Sequence, residues 1–232
     1  MLALRYVGKR LPYRTVARVS FVSYAVSHNV GMSFFSGGTS RYRFYSRHGL
    51  SLLDTAKVIL FCNLTFWVGF ACVGGAVLTR FALPLPENSE LPFPTSRPLG
   101  LVALGVFVLA LGAVAWGRGE LRVKGLSLSW PSVKVFGGQT LVSSVDWLLA
   151  ASVLWAILPL GGYAEVLGIF LLAQVLGMVS NVPGGMGVFE ANLLFLRPDD
   201  DPAHLLAAVI VYRVIYYLVP LIAAVPLLIR RK

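Results

Sequence analysis

The stretch Leu52 to Leu83, LLDTAKVILFCNLTFWVGFACVGGAVLTRFAL, decides the class of fold. It exceeds the about 20 apolar residues that carry an α-helix across a bilayer, and its charges, Asp54, Lys57 and Arg80, sit near its ends. Leu99 to Trp116, Thr140 to Leu160 and Leu205 to Ile229 meet the same requirement, and Tyr163 to Val179 is shorter but strongly apolar. Composition agrees, since 57% of the 232 residues are hydrophobic and only 13% are charged, where a soluble domain carries about 25% charged residues. The expected fold is all-α: one polytopic integral membrane helical bundle over residues 1–232, containing re-entrant or broken helices.

The net charge of +10 comes from 20 Lys and Arg against 10 Asp and Glu. In a membrane chain, basic residues report topology and contacts with anionic lipid, so membrane phospholipid is the expected partner and nucleic acid is not. The N-terminal stretch is basic and lacks the apolar core of a signal peptide, so insertion is expected to use internal helices. Cys62 and Cys72 lie ten residues apart in one helix, about 15 Å along its axis, which excludes a disulfide. With His28, His48 and His204 scattered, no metal site and no cofactor are expected.

Loop charges orient the bundle. Arg118, Arg122, Lys124 and Lys134 should lie in the cytoplasm with Arg230, Arg231 and Lys232, leaving the Pro-rich loop from Pro84 to Pro98 and Asp199 to Asp201 outside. Arg5, Lys9, Arg10, Arg14 and Arg18 also read as cytoplasmic, as does the cluster Arg41, Arg43 and Arg47 before Leu52. One crossing between these two basic groups would violate the charge rule. Val19 to Gly38, polar for a spanning helix, is therefore expected to be a re-entrant or broken helix. The alternative is an ordinary crossing with the arginines outside.

The same parity argument recurs in SNVPGGMGVFEANLLFLRPDDD. Here Asn181, Pro183, Gly184, Gly185 and Gly187 mark a break inside the membrane, and 183–196 continues as a half-helix too short to span. Paired broken elements point to a transport site.

Charged side chains in such surroundings are candidate functional residues. Arg41, Tyr42, Arg43 and Tyr45 suggest a pocket for an anionic head group. Glu190 in the half-helix either touches substrate or pairs with a neighbouring arginine. Arg213 shares a helix face with Tyr216 and Tyr217 and adjoins Tyr212; it could hold a phosphate, pair with Glu190, or snorkel from an aromatic belt. Asp146 is a further cavity candidate, whereas Asp54 reads as a helix-start charge or a partner of Lys57. No catalytic triad, phosphate-binding loop or metal-ligand spacing is visible, which leans against an enzyme.

Three motifs in order, SFVSYAVSHNVGMSFFSGGTSRYRFYSRHGLS, NVPGGMGVFE and YRVIYYLVPL, resemble the transmembrane region of the bacterial lysylphosphatidylglycerol synthase/flippase family. The resemblance implies a multi-pass module of the bacterial cytoplasmic membrane that moves aminoacylated phosphatidylglycerol between leaflets. Bifunctional members carry a soluble synthase domain after the membrane region. Because this sequence ends at Lys232 directly after its last helix and begins at a point resembling the middle of the family's membrane region, the expectation is a membrane module without the synthase domain and short at its N-terminus. On that resemblance, Arg41, Arg43, Arg213 and the amides of Gly37 and Gly38 would take the lipid phosphate, Glu190 with Asp146 the head-group amine, and the tyrosines would line the path. The alternatives are transport of another anionic lipid, a subunit that recruits a separate synthase or self-associates, and an inactive truncated member.

Overall fold

A computed structural model describes residues 1–30, 33–85, 92–117, 119–123, 126–158, 161–180, 182 and 185–229; for residues 28, 30, 33–37, 39–40, 120–123, 126–128 and 179 only the backbone is described. The sequence-predicted break residues Asn181, Pro183 and Gly184 lie outside the described residues. The architecture is all-α, with helices long and apolar enough to cross a membrane at Leu52–Phe81 (α4), Arg97–Trp116 (α5), Val133–Ile157 (α6) and Pro202–Leu228. The last of these comprises Pro202–Arg213 (α9), a π-helical turn at Val214–Leu218, and Val219–Ile229 (α10). Leu2–Tyr6 (α1), Tyr13–Val30 (α2), Ser33–Ser46 (α3), Tyr163–Val179 (α7) and Val188–Leu196 (α8) are shorter or less apolar.

Local chemistry sets the helix limits. At the start of α4, the Asp54 amide donates to Ser51 Oγ (3.0 Å) while the Ser51 amide donates to Asp54 Oδ2 (3.2 Å), a reciprocal capping box. The α6 helix begins earlier than its apolar run, at Val133, because Ser132 Oγ accepts the Val135 amide at 3.3 Å. Asp201 likewise caps α9 by accepting from the Ala203 amide at 3.0 Å. Pro220 has no N–H for the Tyr216 carbonyl, and the ladder widens just there: the Val219 amide reaches Val214 O, one residue beyond α-helical register. The basic loop folds into an antiparallel hairpin of Glu120–Val123 (β1) and Leu126–Ser129 (β2), with Glu120 opposite Ser129 and Val123 opposite Leu126.

Between apolar helices in lipid, close packing supplies much of the attraction, and small residues permit it. A Cβ at Gly69 of α4 would lie 2.5 Å from Ser143 Cβ and 3.0 Å from its carbonyl carbon, so α4 and α6 cross almost backbone to backbone. There Ser143 Oγ and Trp147 Nε1 both donate to Phe66 O, at 3.2 and 3.3 Å. Gly75 and Gly100 bring α4 and α5 together in the same way, against Leu104 N and Thr79 N. The main core, with Trp147, Leu154, Phe170, Leu171, Leu193, Val209 and Tyr212, joins α4, α6, α7, α8 and α9. A second core gathers α1, α2 and the end of α3 around Val58 and Phe61 near the start of α4.

Two helical hairpins enter this frame from opposite ends. The α2 and α3 helices fold back on each other, so that Tyr45 near the end of α3 packs with Val16 and Val19 near the start of α2, beside the start of α4. At about 1.5 Å per residue, α2 (18 residues) is about 27 Å long and α3 (14 residues) about 21 Å, against an apolar bilayer core of about 30 Å. At the other end Arg197, after α8, bonds Glu165 in the first turn of α7 (2.6 Å) and also Asp200, closing the mouth of the α7–α8 hairpin. Its tip turns on Gly185 and Gly187, at φ +60° and +81°. A Cβ at Gly185 would lie 3.3 Å from Gly177 Cα, so the turn before α8 nearly touches the end of α7.

Candidate functional site

Both hairpins reach the π turn. From α2, Asn29 Nδ2 donates to Tyr217 O at 3.2 Å, and the Tyr24 and Tyr216 hydroxyls share a hydrogen bond of 2.5 Å. From α7, Gln174 Nε2 donates to Tyr217 Oη at 3.4 Å. Further along, Arg18 Nη2 donates to Leu227 O at 2.6 Å, so α2 runs antiparallel to α10. The π turn is thus a polar seam in the middle of a long apolar helix, where the widened ladder and three tyrosines supply hydrogen-bonding groups.

The Glu190 and Arg213 side chains meet there. Arg213 Nε donates to Glu190 Oε1 at 2.8 Å and Nη2 to Oε2 at 3.1 Å, a two-pronged guanidinium–carboxylate pair. Glu190 Oε2 also accepts the Gly187 amide at 2.8 Å, and the Arg213 guanidinium lies 5.7 Å from the Tyr217 ring centre and 3.4 Å from Gly185 O. Of the uses the sequence left open for these two residues, the structure displays mutual pairing. Their side chains are 20% and 18% exposed.

Beside this pair lies a cavity of about 730 Å³, within the about 300–1,000 Å³ of sites that hold small organic molecules. It runs from Ala3 and Leu4 of α1 to Gly177, Gly185 and Phe189 at the α7–α8 tip. Its polar wall is built by helical spacing. Ser20, Tyr24 and Ser27 of α2 stand at i, i+4 and i+7, and Gln139, Ser143 and Asp146 of α6 repeat the same interval. Asn63 of α4, Gln174 of α7, Tyr217, and Arg41, Tyr45 and Gly38 of α3 complete it. No metal-holding group of His, Cys, Asp and Glu occurs among the described residues.

The arginine cluster is divided by this geometry. Ser36 to Ser46, which carries Arg41 and Arg43 behind two glycines, belongs to the continuous helix α3. Positions two apart on a helix point about 200° apart, so Arg41 and Tyr45 face the cavity while Tyr42, Arg43 and Arg47 are exposed. The backbone at Gly37 and Gly38 is helical beyond the first four positions of α3, so those amides are inside the ladder instead of free to meet a phosphate, which corrects that expectation. Gly38 serves close packing, with Ile59 Cδ1 3.4 Å from where its Cβ would stand. Tyr212 and Tyr216 stack at 5.3 Å with the Phe189 ring 6.2 Å from Tyr212, so they belong to the core and the seam, and of the aromatic candidates Tyr45 and Tyr217 line the cavity.

Asp146, the other acidic candidate, does line the cavity. No hydrogen bond or ion pair to its carboxylate is found among the described residues. Sequence reasoning missed Ser20, Tyr24, Asn63, Gln139, Ser143 and Gln174; the i, i+4, i+7 recurrence of polar residues on α2 and α6 was the available signal.

Residues 1–224 match the family model described as lysylphosphatidylglycerol synthase TM region. A Synechocystis sp. protein, slr0712, is 39% identical over 95% of this chain and 70% of its own length. The inner membrane protein YbhN of Escherichia coli is 33% identical over 97% of the chain and 71% of the relative. A phosphatidylglycerol lysyltransferase of Bacillus subtilis is 26% identical over 89% of the chain but only 24% of the relative. The match runs over nearly the whole length, and the chain belongs to the lysylphosphatidylglycerol synthase TM region family.

Proposed function

We propose that the cavity takes the head group of an aminoacylated phosphatidylglycerol, or a closely related anionic lipid, and passes it between the leaflets of a bacterial cytoplasmic membrane while the acyl chains stay in the bilayer. The observation that carries this reading is one cavity holding an arginine, Arg41, and a carboxylate, Asp146, with no ion pair between them or to other described residues. Charges left open inside a membrane protein are costly unless a ligand or pathway uses them. A guanidinium suits a phosphate and a carboxylate suits an ammonium, so the two match a head group that carries both. On the loop-charge reading the α2–α3 mouth faces the cytoplasm, and the cavity extends from that end to the tip of the opposite hairpin.

The lysyltransferase relatives supply the lipid class to this reading and not the transfer chemistry, since the match covers 24% of the Bacillus subtilis protein. The name of the Escherichia coli relative supports the inner membrane. The test is leaflet-resolved translocation in vesicles reconstituted with this chain. Arg41→Gln should slow lysyl-phosphatidylglycerol and plain phosphatidylglycerol alike, and Asp146→Asn should slow the lysyl form more. Rates equal to protein-free vesicles, or no effect of Arg41→Gln, would remove the reading.

A further inference from the structure

We infer that Asp146 binds a proton and a head-group ammonium by turns, so that the cavity exchanges one for the other across the membrane. The inference rests on the lipid-translocation reading above and names the coupling ion for the same site. Asp146 sits on α6 in the cavity wall without a cationic partner among the described residues. A carboxylate so placed is neutral by protonation or neutralised by a bound cation, because an uncompensated charge is expensive in apolar surroundings. When the proton leaves and an ammonium arrives, the pair is neutral again. The net charge at Asp146 is therefore the same in both loaded states, and only the empty carboxylate is costly. This disfavours crossing with nothing bound, which is what obligatory exchange requires.

The groups around Asp146 fit proton passage. Tyr24 of α2 lines the same cavity as Asp146, and the Tyr216 ring of the π turn stacks on Tyr212 of α9 behind it. Tyr24 and Tyr216 already share a hydrogen bond, and the Tyr212 hydroxyl, in a residue 2% exposed, has no hydrogen-bond partner among the described residues. Phenol hydroxyls both donate and accept, so they can hand a proton to a carboxylate without becoming charged at rest. Of the other titratable or charged groups on the cavity wall, Arg41 and Tyr45 come from α3, Cys62 from α4 and Tyr217 from the π turn, with Met1 before α1. The α7 helix contributes the neutral Gln174, and Glu190 of α8 is held by Arg213. The described part of α5 has its only charge, Arg97, in its first turn.

The exchange balances as one proton bound to the carboxylate for each ammonium released, and one ammonium bound for each proton lost. A one-unit pH difference then supports an about tenfold lysyl-lipid ratio between leaflets at equilibrium, with the lipid gathering on the acidic side. The experiment uses the full chain in phosphatidylcholine vesicles with lysyl-phosphatidylglycerol, an internal pH dye and an impermeant amine reagent to count the outer leaflet. The wild type should approach that asymmetry and reverse it when the gradient is reversed. In Asp146→Asn the remaining translocation, however slow, should ignore the gradient, while Asp146→Glu should respond to it. As a readout independent of transport, adding lysyl lipid to the detergent-solubilised protein should release protons and remove a carboxylic-acid infrared band in the wild type and in Asp146→Glu, but not in Asp146→Asn. A leaflet ratio of one under a gradient, with Arg41-dependent translocation intact, would overturn the exchange and leave the lipid reading standing. Absence of any protein-dependent translocation would overturn both.

Discussion

Glu190 and Arg213 give the sharpest structural prediction. With side chains only 20% and 18% exposed, the pair is closer to a buried than a surface ion pair. Removing one partner of a buried pair costs about 3–5 kcal/mol, because the other charge is left uncompensated. The residual exposure puts Glu190→Ala and Arg213→Ala near the lower bound, about 3 kcal/mol each. The Gly187 amide, which also donates to Glu190, is on an exposed residue and adds little when freed. The double variant should cost clearly less than the sum, with a coupling of about 2 kcal/mol, since both charges leave together. Reversible unfolding in detergent micelles, by denaturant or steric trapping, measures all three. Single variants within about 0.5 kcal/mol of the wild type, or strictly additive costs, would show that the pair does not hold the α7–α8 tip to the π turn. Glu190 would then be available to a ligand after all.

Three other perturbations test the frame. Gly69→Val should destabilise by at least about 1–3 kcal/mol, the usual cost of overpacking, because its side chain must enter the backbone of Ser143; thermal unfolding reads this directly. Ser51→Ala removes the acceptor for the Asp54 amide and should cost about 1 kcal/mol, with faster hydrogen exchange confined to the first turn of α4. Arg197→Ala opens the mouth of the α7–α8 hairpin at a cost of about 1 kcal/mol. Hydrogen bonding to Asp200 raises the pKa of Arg197, which is cationic at ordinary pH in any case, so its contribution is complete below its unfolded pKa and disappears only in strong alkali. The stability difference between Arg197→Ala and wild type should therefore be flat from about pH 6 to 9.

The long apolar runs were legible because span length and hydropathy are properties of single segments. The break before Val188 was legible for a similar local reason: Gly185 and Gly187 take positive φ that other residues adopt at a cost. The division of the arginine cluster was not legible, because it depends on α3 being helical through its two glycines, which packing against α2 and α4 decides. Once α3 is helical, Arg41 and Arg43 must part company, and only Arg41 reaches the cavity. Which carboxylate would be left open was a question of tertiary structure. Arg213 claims Glu190 across 23 residues of sequence, and nothing local to Asp146 says that no cation claims it. Single polar residues such as Asn63 and Gln174 carry meaning only when helices from distant segments bring them to one wall.

The opposed hairpins also divide the membrane unequally. The cavity runs from α1 to the α7–α8 tip, so along the proposed route open space makes up one part and closely packed protein the other. A transmembrane voltage falls mainly across the low-dielectric portion. The field is thus concentrated over the short α7–α8 half, where α8 is only about 14 Å long. A unit charge that crosses that half works against most of the voltage, up to about 2.3 kcal/mol per 100 mV. The packed α7–α8 half, and not the wide cavity, is where membrane potential would act on a head group following the proposed route.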